Sequence, residues 1–121
     1  MADRSPLVAI GALNAALAVA AGAFAAHGLR ERLAARSLEI FETAARYHMY
    51  HALAMVLAGL LAATRGAAAA GWMFQAGIAV FSGSLYALAL TDVKVLGAVT
   101  PVGGLAFLAG WLWLAWSVWR A

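Results

Sequence analysis

Three histidines, a run of hydroxyl groups and one carboxylate are the side chains in this sequence best suited to chemistry. His48 and His51 stand three residues apart, so on a helix they share a side. With His27 nearby they could form an imidazole site for a transition metal or supply axial ligands to haem. Two plainer readings compete. Histidines and tyrosines at a membrane boundary, here with Tyr47 and Tyr50 between and beside them, bond to backbone, water and headgroups. Alternatively His51 joins a buried hydrogen-bond network with Thr43, Ser82, Ser84 or Tyr86. Asp92 with Lys94 could mark an ion path or be a solvated turn. Phe81-Ser82-Gly83-Ser84 could kink a helix beside a cavity, or pack with its hydroxyls bonded back to their own helix. Thr100-Pro101-Val102-Gly103-Gly104 could open a helix whose free N–H groups take an anion, or be a plain helix entry. No acid/base pair, nucleophile triad, phosphate loop or zinc spacing is present, and Ser82 and Ser84 have no base at a fixed distance. Catalysis is the least supported class, and no cofactor is assigned.

The elements that must position these groups are membrane helices. Hydrophobic residues make up 66% of the chain and charged ones 11%, against about 45–50% and 25% in ordinary globular chains. A soluble chain of 121 residues has too much surface for its volume to hide that much apolar area. Ser5 followed by Pro6 reads as an N-cap and a proline first turn, opening a span over about 6–26. Its apolar run is longer than the 7–15 residues of a signal-peptide core, which argues against cleavage. Ile10, Leu13, Leu17 and Phe24 suit lipid. Gly11, Asn14, Ala18, Gly22 and Ala25 form a small, slightly polar stripe that should face protein. His27-Gly28 reads as the helix end, with glycine as its cap.

Ser37 is the expected N-cap of the next helix. Residues 30–46 read as an interfacial amphipathic helix, with Phe41, Ala44 and His48 on one side and Glu39, Glu42 and Arg46 on the other. The spacing of Glu42 and Arg46 favours an ion pair contributing a few tenths of a kcal/mol. The second span follows over about 47–64 and the third over about 67–90, with Gln75, Ser82 and Tyr86 on one stripe facing the bundle. The fourth covers about 97–119. It either starts afresh at Thr100-Pro101, the reading favoured by the adjacent glycines, or begins near Val93 and bends at Pro101. Four of the five tryptophans gather towards its end, as suits an interfacial belt.

The net charge of +3 and a pI near 10 reflect arginines at membrane edges and not a nucleic-acid surface. Without cysteine there is neither a disulfide framework nor a thiolate metal site. Arg30, Arg32, Arg36 and Arg46 are candidate contacts for anionic lipid headgroups. Together with Lys94 they outnumber Arg4, Arg65 and Arg120 at the other end, which puts the 27–46 loop in the cytoplasm of a multi-pass protein of the bacterial plasma membrane. The expected polar site is His27, Thr43, Tyr47, His48, His51, Ser82, Ser84, Tyr86 and Asp92, near one membrane face.

Four stretches in order, Gly22–Leu29 (GAFAAHGL), Phe41–Ala54 (FETAARYHMYHALA), Phe81–Tyr86 (FSGSLY) and Thr100–Gly104 (TPVGG), resemble the domain of unknown function 423 family of small bacterial membrane proteins, itself similar to the eukaryotic transmembrane protein 256 family. The resemblance covers nearly the whole chain and implies four spans with no assigned activity. It carries over Gly28, Phe41, Thr43, Tyr47, His51, Ser82, Gly83, Ser84, Tyr86, Thr100, Pro101 and Gly104. His48 stands where the family pattern leads to glutamine, which counts against a working His48–His51 pair. The fold expected is therefore an all-α, four-helix transmembrane bundle with an interfacial segment leading into helix two. The leading functional expectation is a structural or interaction module that associates with membrane lipids and with its own copies, packing through the glycine and alanine stripes of helices one and three, since four thin alanine-rich helices leave little room for a private cavity. A small transporter or channel, and a lipid-, quinone- or haem-binding protein, are the alternatives. The small-molecule substrate of either is unknown.

Overall fold

The computed structural model describes residues 5–121, and the polar leader ending at Arg4 lies outside the described residues. Four helices run antiparallel: α1 (Pro6–Leu29), α2 (Ala35–Leu60), α3 (Ala67–Thr91) and α4 (Val95–Trp119). Helices α1, α3 and α4 are each long and apolar enough to cross a membrane. At 1.5 Å per residue each reaches about 36–38 Å, more than the roughly 30 Å of hydrocarbon.

Helix α1 opens as its sequence directs. Ser5 accepts the Leu7 N–H on its hydroxyl at 3.2 Å, and Pro6 occupies the first turn, where its missing N–H costs nothing. Leu13 and Leu17 are more than 60% exposed on its outer side, while Gly11, Asn14, Ala18 and Ala25 are buried. Gly22, expected on the same inward stripe, is exposed. Helix α1 does not end at His27-Gly28. A wide, π-type turn over Ala25–Leu29 carries it further, and Gly66 is the only glycine with positive φ among the described residues. Gly28 instead leaves room for the Phe24 ring, which a Cβ there would meet at 2.6 Å.

Helix α2 is continuous for 26 residues, with no break between an interfacial and a spanning part. It starts at Ala35, capped by no side chain, so Ser37 is not its N-cap, and it stops at Leu60, short of Thr64. The expected sidedness holds: Phe41, Ala44 and His48 are buried and Glu39 and Arg46 are exposed. Helix α2 is the hub of the bundle. Leu7 of α1, Met55 and Ala58 of α2, Phe74 and Ile78 of α3, and Phe107 and Leu114 of α4 form one core. A smaller cluster of Ala25, Leu29, Phe41 and Ala89 seals the other end. Gly11 permits a close crossing of α1 and α2, since a Cβ there would stand 2.9 Å from the Ala52 carbonyl oxygen.

Helix α3 contains a second wide turn at Ile78–Ser82. One extra residue in a turn re-aims whatever follows it, so Ser82 faces α2 and Ser84 faces α4. Helix α4 passes through Pro101 without restarting. The favoured break is therefore wrong and the continuous alternative is nearer. Pro101 falls in the second turn, and the neighbouring Thr100 hydroxyl bonds the Leu96 carbonyl at 3.1 Å across the weakened stretch.

Candidate functional site

The polar interior is organised around His48. Its Nε2 lies 2.9 Å from Asn14 Oδ1 of α1, and its Nδ1 lies 2.9 Å from the Tyr86 hydroxyl of α3. Asn14 is oriented by its own backbone, because its Nδ2 donates to the Ile10 carbonyl at 3.0 Å. The same amide donates to Gln75 Oε1 at 2.8 Å. With its nitrogen committed, Asn14 offers only an acceptor to His48, so Nε2 carries the proton and Nδ1 accepts from Tyr86. The result is a one-way chain, Tyr86 to His48 to Asn14 to Gln75, tying α1, α2 and α3 together. Asn14 lies about 12 Å along the axis from Pro6, about a third of the way along α1.

His51 is held differently. Its Nδ1–H donates to the Tyr47 carbonyl at 2.8 Å, so its Nε2 is free to accept from the Trp111 indole N–H at 3.1 Å. The ring lies flat on Phe107, with centroids 3.5 Å apart and planes 9° apart. Phe74 and Trp111 close the slot at 5.7 and 6.0 Å. His51 therefore faces α4 in an aromatic box, while His48 faces α1 and α3.

The sequence-predicted residues divide accordingly. Tyr86 joins His48. Ser82 donates to the Ala44 carbonyl at 2.9 Å, and Ser84 meets the Thr100 hydroxyl at 2.6 Å. None of these touches His51, so the expected network around it is replaced by Tyr47 and Trp111. Thr43 sits on the outer face, donating to the Glu39 carbonyl and accepting from Arg46. Arg46 is thus turned to Thr43, and the Glu42–Arg46 ion pair is not formed. The ion pair among the described residues is Lys94–Asp92 at 2.6 Å, well exposed in the α3–α4 turn. Asp92 takes φ 57° there, ending α3, and makes no contact with the histidines. His27 is exposed at the end of α1, as are Arg30, Arg32 and Arg36 around the α1–α2 connection. His51 lies about 14 Å from Leu60 along α2. Among the described residues, no three of His, Asp and Glu are grouped to hold a metal ion.

Sequence reasoning missed Trp111 and Phe107 as partners of His51. Tryptophans near a helix end read as belt residues, and nothing in the spacing pairs position 51 with position 111. Asn14 and Gln75 were legible as inward-facing polar groups but not as partners of each other. Beside His48 and Tyr86 an apolar groove of about 570 Å³, walled by Leu17, Phe24 and Leu90, opens towards the lipid side of α1.

The family model described as "Protein of unknown function (DUF423)" matches residues 21–104. The chain is 50% identical over 107 residues to a UPF0382 membrane protein of Staphylococcus epidermidis, covering 87% of this chain and 88% of that one. It is 46% identical over 109 residues to the UPF0382 membrane protein YwdK of Bacillus subtilis, covering 87% and 89%. A Staphylococcus haemolyticus relative, UPF0382 membrane protein SH2409, is 44% identical over 115 residues, covering 93% and 94%. No solved structure matches.

Proposed function

The chain belongs to the DUF423 family of membrane proteins of unknown function, and from that premise we propose that it is a non-catalytic interaction module that self-associates in the bacterial cell membrane through the outer face of α2. In this reading α2 is a fourth crossing. Its 26 residues and its central, antiparallel seat among the three apolar helices support that. Its first turns, with Arg36 and Glu39, then emerge at the interface, on the cytoplasmic side by the balance of basic residues.

One observation carries the proposal. Glu42, Thr43 and Arg46 line the outer surface of the bundle. Gly59 packs level with Leu7 and Val8 at the opposite end, and Arg46 lies only about 20 Å up the axis from there, Glu42 about 26 Å. Taking that level as one edge of a slab roughly 30 Å thick, Arg46 falls about 10 Å inside the other edge, where a charge is costly against hydrocarbon and is met facing protein or water. The flanking groove between α1 and α2 is walled by Ala18, Gly22 and Ala45, small enough for another helix to approach closely. A second copy related by a two-fold axis along the membrane normal would set Arg46 against Glu42 of its twin, twice over, because such an interface is self-complementary.

Two differently tagged chains test this. Glu42→Arg and Arg46→Glu variants each repel their own copies, so each runs as monomer when expressed alone. Co-expressed, the two are mutually complementary and co-purify at wild-type level, which no pair within one chain can produce. Wild-type chain that stays monomeric in crosslinked native membranes would refute the proposal.

A further inference from the structure

We propose that the end of the bundle where the α2–α3 turn meets the last turn of α4 is a binding site for a phosphate group, held by Arg65, Ser117 and Arg120. The site is independent of the α2 face and lies at the other end of the molecule from Arg30, Arg32 and Arg36.

The starting point is a buried hydroxyl that lacks the partner most of its kind find. Thr43, Ser84, Thr91 and Thr100 each place a hydroxyl on a carbonyl three or four residues back in their own helix. Ser117 does not. Its side chain is 1% exposed and its Oγ has no hydrogen-bond partner among the described residues. Buried polar atoms in native proteins are seldom left in that state without a ligand, ion or water to meet them.

Two cationic side chains stand beside Ser117. A cavity of about 170 Å³ is lined by Arg65, Ser117, Arg120 and Ala121, with no acidic side chain. At roughly 30 Å³ per water it has room for a tetrahedral oxyanion. Gly66 draws the pieces to one point. It takes φ 95°, and a Cβ there would stand 2.6 Å from Ser117 Oγ and 3.2 Å from Arg120 Nη2, so hydroxyl and guanidinium both rest against its backbone. Gly66 is also the residue before the first turn of α3, whose dipole makes that helix end positive. Trp113 locks the turn in place by donating its indole N–H to the Gly66 carbonyl at 3.0 Å, with Arg120 5.9 Å above its ring.

Two guanidinium forks, a hydroxyl donor and a helix start suit the several oxygens and the charge of a phosphate better than a single carboxylate. Trp113, Trp116 and Trp119 mark this end as a membrane boundary, where the phosphate would come from a phospholipid headgroup or from solution.

Both sources are tested on full-length chain purified in a maltoside detergent. Native mass spectrometry follows retention of phosphatidylglycerol, and calorimetric titration follows inorganic phosphate added without lipid. Ser117→Ala is expected to weaken the bound species about tenfold while leaving thermal stability unchanged or raised, since it deletes a hydroxyl that has no partner. Arg120→Gln is expected to weaken it at least as much. Arg32→Gln, at the far end, should match wild type. Retention of the lipid without phosphate binding assigns the site to a headgroup, and phosphate binding in detergent alone assigns it to a free anion. The proposal is overturned if wild type binds neither probe, or if Ser117→Ala and Arg120→Gln bind as wild type does.

Discussion

His48 and His51 leave the same helix one turn apart and enter two kinds of environment. Around His48, four polar side chains from three helices pass hydrogen bonds in one direction, and its ring touches Tyr86 only edge-on, at 5.8 Å between centroids. Around His51, only Trp111 supplies a side-chain hydrogen bond, and the ring is sandwiched with Phe107 and boxed by Phe74. Both histidines have both nitrogens bonded, but only His51 is also stacked flat on a neighbouring ring. The difference follows from the neighbours. Helix α1 contributes Asn14 and small residues and leaves room for polar atoms to meet, whereas α4 contributes Phe107 and Trp111 and leaves room only for a plate.

This contrast sets an order of costs. His51→Ala should be the most damaging, because it empties a ring-sized space in a close-packed aromatic cluster, and substitutions of that kind cost about 3 kcal/mol or more. Equilibrium unfolding in mixed micelles measures it, and a loss below about 1 kcal/mol would dissolve the distinction. His48→Leu comes next. It fills the space but strands Asn14 Oδ1 and the Tyr86 hydroxyl. Unpaired buried groups cost about 1–3 kcal/mol in water-soluble proteins, but interhelical hydrogen bonds in membranes average about 0.6 kcal/mol, because the separated helices also find partners. The expected loss is therefore about 1 kcal/mol. If His48→Leu proves worse than His51→Ala, the polar chain and not the aromatic box is the main clamp.

The sequence showed the bundle's outline because its signals are local. Ser5-Pro6 starts α1, the lipid-facing leucines announce themselves by composition, and the two sides of α2 follow from helical spacing. The errors came where a local signal was overridden from a distance. Gly28 reads as a cap, yet it is wanted for the Phe24 ring. Thr100-Pro101 reads as a helix start, yet α4 packs along α3 over its whole length and Phe81 seats against Gly103, so the helix is carried through. Glu42 and Arg46 satisfy an i,i+4 rule that Thr43 pre-empts. The site was half legible for the same reason. That His48 and Tyr86 face inward is written in periodicity. That they meet each other, and that His51 meets Trp111, depends on the extra residue in the Ile78–Ser82 turn and on the register between α2 and α4, neither of which any single helix records.

The smallest effect is the most discriminating. A glutamine at position 48, the residue to which the family pattern points, carries a donor nitrogen and an acceptor oxygen on a flexible stem. Its amide nitrogen can serve Asn14 Oδ1 and its oxygen can accept from Tyr86, reproducing both ends of the relay without a ring. His48→Gln should therefore cost about 0.5 kcal/mol or less in the same unfolding experiment, since both hydrogen bonds are exchanged and none is lost. The same change one turn later cannot succeed. An amide at position 51 offers Phe107 and Phe74 no plate to stack on, and its carbonyl can take the Trp111 proton only by leaving the slot part-empty, so His51→Gln should fall close to His51→Ala. Equal costs for the two glutamine variants would mean that both histidines are rings first, and the hydrogen-bond chain through His48 would then be a consequence of packing and not its purpose.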